Sequence, residues 1–155
     1  INSNGQPTLL WKDSSLLSHE SRSVSRWNGS TWVKLADITF DDVSPYLFEQ
    51  VSLTIDPLGN PIVVATVGNY DPPHFVVVFQ WDGTKFVKVG SSLPSDEATA
   101  PRINQALWTQ LRSLAVDNLG NIFIGIYQCS SYAFSGQTQS FNCTDPNAAY
   151  VVKQY

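Results

Sequence analysis

The chain has no methionine, two histidines, two cysteines and only 14% charged residues among its 155 positions. Each scarcity removes a class of protein. His19 and His74, like Cys129 and Cys143, stand too far apart for a His-x-x-x-His or Cys-x-x-Cys ligand set, so no zinc spacing exists. There is no Gly-x-Ser-x-Gly elbow and no Gly-rich phosphate loop. No apolar run reaches the roughly 18 residues of a membrane-spanning helix. The nine Lys and Arg are scattered singly under a net charge of −4, which leaves no basic patch for nucleic acid or an anionic membrane. Neither a cofactor nor a metal is expected. With Ile1 in first place and no Met, the sequence is expected to have lost a leader or to be an excerpt of something longer.

What is present instead is 12% aromatic residues with nine Gly and nine Pro, a composition of short strands joined by tight turns. A chain of this length buries roughly 70% of its unfolded surface as one domain. Phe75 to Gly90 reads as a hairpin: five apolar residues lead into Trp81-Asp82-Gly83, and Phe86, Val87 and Val89 resume the pattern. An Asp-Gly pair between two such runs signals a tight turn whose residues accept φ > 0. An imperfect copy lies 54 residues upstream, where Trp27, Asn28-Gly29, Trp32 and Val33-Lys34 answer Trp81, Asp82-Gly83, Phe86 and Val87-Lys88.

A second marker gives the same period. Ile55 to Val64 (IDPLGNPIVV) is repeated as Val116 to Gly125 (VDNLGNIFIG), and more weakly as Ile1 to Leu10, again 54 residues before Ile55. The spacing of 61 from Ile55 to Val116 implies a seven-residue insertion, placed in the Pro94 to Trp108 connection where Pro, Ser, Asp and Glu cluster. Tyr150 to Tyr155 matches the strand that ends at Trp27 or Trp81, with Tyr155 in the Trp place, and the extra length falls in a polar loop between Cys129 and Cys143.

Each unit is therefore expected to hold four strands: a (50–56, 111–117), b (8–12, 61–67, 122–128), c (21–27, 75–81, 149–155) and d (31–35, 85–89). No ten-residue segment has a helical period, and one short turn or helix is expected at most, over 103–111. The fold class is all-β, with repeat units of about 1–49, 50–110 and 111–155, the last incomplete. Four antiparallel strands per unit is the signature of a propeller blade.

The repeat resembles that of secreted β-propeller proteins whose blades carry S-L-A-x-D-x-x-G-N-x-[YFI]-[VI]-[GA] followed by V-x-x-[WY]-[DN]-G-x-x-W-x-x-[VL]-G. Ser113 to Gly125 fits the first half, and Val78 to Gly90 fits the second with Phe86 in the usual Trp place. The resemblance spans nearly the whole chain and implies architecture rather than activity, because propellers host lectins, enzymes and scaffolds alike. In phase with it, the strands run b-c-d, a-b-c-d, a-b-c, so about three blades are present where a ring takes roughly four to eight. Completion is expected from another copy, a different subunit or the remainder of a longer propeller, and a free sheet edge invites that pairing.

The candidate sites follow from the same pattern. Trp27, Trp32, Trp81, Phe86 and Tyr155 recur at fixed places and are expected to pack within or between blades. Trp11 and Trp108 have no counterpart in other units and are the candidate ligand-binding aromatics, toward glycans above all. Asp56 and Asp117 each bring one carboxylate to an Asp-x-Leu-Gly-Asn turn, far short of the six to eight oxygens Ca²⁺ takes, so they are expected to bond turn amides. Asp82 and Gly83 are adjacent, unlike the spaced Asp and Gly of the sialidase turn motif. A glycosidase carboxylate pair could be drawn only from loop residues, namely Asp41, Asp42, Glu49, Asp96 or Glu97, whose acidity solvation explains; no catalytic residue is assigned. The Ser-rich stretch Ser14 to Ser25 is expected to be a polar connection rather than a site of O-linked sugar. Cys129 and Cys143 would close a loop worth about 3 kcal/mol as a disulfide. That pair, with glycosylation sequons at Asn28 and Asn142, points to a secreted glycoprotein. The expected role is a non-enzymatic structural module that forms an oligomeric ring or filament, with a carbohydrate-binding propeller as the alternative and a glycosidase or lyase fragment behind both.

Overall fold

The computed structural model describes residues 1–2, 4–12, 22–38, 47–68, 75–93, 108–129, 132–135, 140–143 and 149–154. All regular structure among them is β: β1 (Thr8–Lys12), β2 (Arg22–Trp27), β3 (Trp32–Ile38), β4 (Leu47–Ile55), β5 (Pro61–Gly68), β6 (Phe75–Trp81), β7 (Phe86–Leu93), β8 (Trp108–Val116), β9 (Ile122–Cys129), β10 (Tyr132–Ser135), β11 (Ser140–Cys143) and β12 (Ala149–Gln154). Every pairing is antiparallel. The first sheet has the order β1-β2-β3, the second β4-β5-β6-β7, the third β12-β9-β8, and β10-β11 is a separate hairpin.

The three sheets are stacked, and the second lies between the other two. Its strands alternate in the usual period of two, but both faces are buried. Val63, Ala65, Val67, Val77 and Phe79 pack with Val24 and Ile38 of the first sheet. Their neighbours Ile62, Val64, Val76 and Val78 pack with Leu111, Ile122, Ile124 and Ile126 of the third. This explains why Phe75 to Phe79 reads as an unbroken apolar run: a strand covered on two sides has no polar face. The described strands form an open stack rather than a closed ring.

Two hydrogen bonds tie the stack across its layers. Arg26 Nη2 of β2 donates to the Gly59 carbonyl in the β4–β5 turn at 2.5 Å. The Leu111 amide of β8 donates to Thr66 Oγ1 of β5 at 3.1 Å, in a buried setting. That bond sits beside the register shift between Leu111 and Ser113, where the bulge turns an amide out of its own ladder.

Two local expectations are corrected. Residues 108–111 belong to β8, so the described part of 103–111 is strand rather than a helical turn; alternation of Leu111, Leu114 and Val116 onto Ile126, Ile124 and Ile122 decides it. The stretch between Cys129 and Cys143 is not wholly loop, because Tyr132 to Ser135 pairs with Ser140 to Cys143. Residues 94–107, where the seven-residue insertion was placed, lie outside the described residues.

Candidate functional site

The turns fix where the strands end. The Asp-x-Leu-Gly-Asn turn occurs twice, and the turn from Asn2 to Gln6 at the matching repeat position shares its bonding scheme. Asp56 Oδ1 accepts the Asn60 amide at 2.7 Å, Asp117 Oδ1 accepts the Asn121 amide at 2.8 Å, and Asn2 Oδ1 accepts the Gln6 amide at 2.9 Å. The glycine before the last residue has φ of 87°, 88° and 73° at Gly59, Gly120 and Gly5, a conformation side chains resist. The carboxylates therefore serve the backbone, and among the described residues no group of three His, Cys, Asp or Glu converges.

The Asn-Gly and Asp-Gly hairpins are wider than a two-residue turn. Trp27 pairs with Trp32 and Trp81 with Phe86, so each loop has four residues. The extra length is held by the side chain at the first loop position. Asn28 Oδ1 accepts the Ser30 and Thr31 amides and the Ser30 hydroxyl, and Asp82 Oδ1 accepts the Thr84 and Lys85 amides and the Thr84 hydroxyl. The Lys85 and Thr84 amides, with the Thr84 hydroxyl and the Lys85 charge, hold the Asp82 carboxyl below its ordinary value of 3.8. The Asn121 side chain, followed by the amides of Asn121, Leu119 and Gly120, does the same for Asp117.

A carboxyl whose folded value is depressed contributes stability above its unfolded value, and loses it as pH falls through the folded one. Because Asn28 makes the same three bonds without a charge, Asp82→Asn is expected to leave the melting temperature unchanged at neutral pH. It should also lessen the loss of melting temperature expected as pH falls below about 4. Thermal melts of both proteins from neutral to acid pH check this; an equal loss at pH 7 would show that the charge itself holds the turn.

The recurrent aromatics lie beside these loops as cross-strand pairs. Trp27 and Trp32 meet edge to face at 5.7 Å, and Trp81 and Phe86 are tilted at 5.2 Å. Phe86 is packed against the core between the first two sheets, while Trp32 is 43% exposed. Tyr155, His19, His74, Asp41, Asp42, Asp96 and Glu97 lie outside the described residues, and Glu49 is placed only as the bulge residue of β4.

Two surfaces remain open on the outer faces of the stack. On the first sheet, Leu9 and Trp11 of β1 face away from the core; Trp11 Nε1 donates to Ser25 Oγ at 3.2 Å, and its ring is exposed. Ser23 Oγ of the same face donates to Asp37, which also pairs with Lys34 at 2.7 Å. On the third sheet, Tyr127 of β9 meets Tyr150 of β12 at 5.0 Å, and Arg112 stands over the Tyr127 ring at 5.5 Å. Tyr150 and Val152 of this face are exposed. Sequence reasoning singled out Trp11 but missed Tyr150 and Val152. Their signal was the alignment of Tyr150 and Val152 with Val76 and Val78, had each strand been divided into its two faces. Trp108 is in β8, at the register position of Cys129, and Asn142 is in β11. Cys129 is buried and disulfide-bonded, and Asn28 is exposed.

No family model, curated protein or solved structure matches this chain. The resemblance to secreted propeller blades therefore rests on the repeat motifs alone.

Proposed function

We propose that the chain is a propeller-type repeat module of the extracellular space that acts without catalysis, by associating with further copies of itself. The observation that carries the reading is the phase of the sheets. The second holds all four strands of the unit, a-b-c-d, whereas the first and third hold three each among the described residues. In this reading β1 and β12 are edges, and the stretch near Ala149 to Tyr155 pairs with the stretch near Ile1 to Lys12 of a neighbour. Rotation that closes gives a ring of about six blades from two copies; rotation that does not gives a filament.

The extracellular part rests on a Cys129 to Cys143 bridge, which an oxidising compartment supports, and on Asn28, which stands exposed in a sequon. Sedimentation velocity across the micromolar range tests the module: the expected result is a species larger than 17.2 kDa that grows with concentration or stops at a closed ring. A folded monomer throughout would overturn it.

A further inference from the structure

The two internal junctions of the stack use the same pair of surfaces. Repeat alignment sets Val63 and Ala65 of the second sheet level with Ile124 and Ile126 of the third, and each pair packs on the preceding sheet. Leu10 and Val64 share another position, and each packs on the following sheet. Every sheet thus has a backward face and a forward face. At both junctions the forward face of one sheet meets the backward face of the next.

One face of each kind is packed on no other described sheet, although on the first sheet Ser23 and Ser25 of that face are buried. The backward face of the first sheet presents Leu9 and Trp11, which align with Val63 and Ala65; these are 0% exposed in the second sheet, whereas Leu9 is 49% and Trp11 41% exposed. The forward face of the third sheet presents Tyr150 and Val152, which align with Val76 and Val78. Those are 0% and 1% exposed, against 76% for Tyr150 and 70% for Val152. At these four positions, which the second sheet buries, large apolar or aromatic side chains face outward, whereas Ser23 and Ser25, level with Val77 and Phe79, are polar and buried.

The open faces also depart from the internal ones in opposite senses. Trp11 stands where the internal backward faces have Ala65 and Ile126, so that position is enlarged. Gly125 stands where the internal forward faces have Val64 and Leu10, so that position carries no side chain of its own. The two positions are sequence neighbours on strand b. A Cβ at Gly125 would collide with Ser113 Oγ, so the small Ser113 side chain already occupies the space beside this glycine and leaves the face flat there.

We propose that a second copy of this chain, added head to tail, seats its first-sheet face at Leu9 and Trp11 on the third-sheet face at Gly125, Tyr127, Tyr150 and Val152. The contact continues the junction that the molecule already makes twice within itself, and it is heterologous, so it propagates into a ring where the rotation closes and a filament where it does not. It rests on the self-association reading and moves the contact from strand edge to sheet face.

Two exposed positions test it. Leu9→Arg blocks the backward face and Val152→Arg the forward face, and each variant alone is expected to sediment as a monomer, with association weakened at least about tenfold. Mixed in equal amounts, they should form a 1:1 dimer that grows no further, because one good face of each kind survives. Circular dichroism checks that both variants are folded, and Leu9→Ala with Val152→Ala should show the same order of effects more weakly.

A variant that dimerises alone, or a mixture that stays monomeric while the wild type associates, would overturn the head-to-tail contact. Undiminished association of both variants would also overturn the face contact and leave pairing through the edges. A monomeric wild type would remove self-association altogether.

Discussion

Ile124→Ala is expected to lower the unfolding free energy by about 2–5 kcal/mol, the range for deleting a buried branched side chain whose cavity cannot fully collapse. Ile124 is fully buried between β8 and β12 in its own sheet and faces Val64, Val76 and Val78 of the second. Both layers are pinned by their own ladders, so neither can move far to fill the void. Leu58, at the tip of the β4–β5 turn, is 85% exposed, and Leu58→Ala should stay within about 0.5 kcal/mol. Urea unfolding of the three proteins, with unchanged slopes, would separate these cases. If Ile124→Ala cost no more than Leu58→Ala, the third sheet would not be packed on the second.

This dependence on a doubly covered middle sheet was legible in part. The strands themselves could be read because Val, Ile, Phe and Trp alternate or run together between Asn-Gly, Asp-Gly and Leu-Gly-Asn punctuation. Where strands began could not be read so well. β4 starts at Leu47 and β8 at Trp108, three residues before the expected starts at Gln50 and Leu111. In each, a bulge, between Phe48 and Gln50 or between Leu111 and Ser113, adds a residue and breaks the period of two. The β10–β11 hairpin was missed because its four-residue strands are too short to show a period among polar neighbours. The open faces were harder still: one residue pattern serves a buried face in the second sheet and an exposed face in the third. Only the stacking order distinguishes Val78 from Val152.

Asp56→Ala is expected to cost about 1–3 kcal/mol, because it strands donors that water reaches poorly. Asp56 is buried, and its two oxygens accept the Asn60 amide at 2.7 Å, Asn60 Nδ2 at 3.1 Å and Gln80 Nε2 at 3.3 Å. The first two bonds shape the β4–β5 turn, and the third fastens that turn to β6. The same turn presents the Gly59 carbonyl to Arg26 of the first sheet, so its distortion loosens a link between layers. Asp56→Asn keeps an acceptor for the Asn60 amide, as Asn2 does for Gln6, and should recover part of the loss. Chemical denaturation of the two variants decides the matter. Equal stability of Asp56→Ala and wild type would mean that the turn holds through its backbone bonds alone, from Asp56 N to Asn60 O and from Gly59 N to Asp56 O. A larger loss in Asp56→Ala than in Arg26→Ala would place the main role of this carboxylate within the second sheet. The reverse order would place it in the junction with the first, where the stack begins.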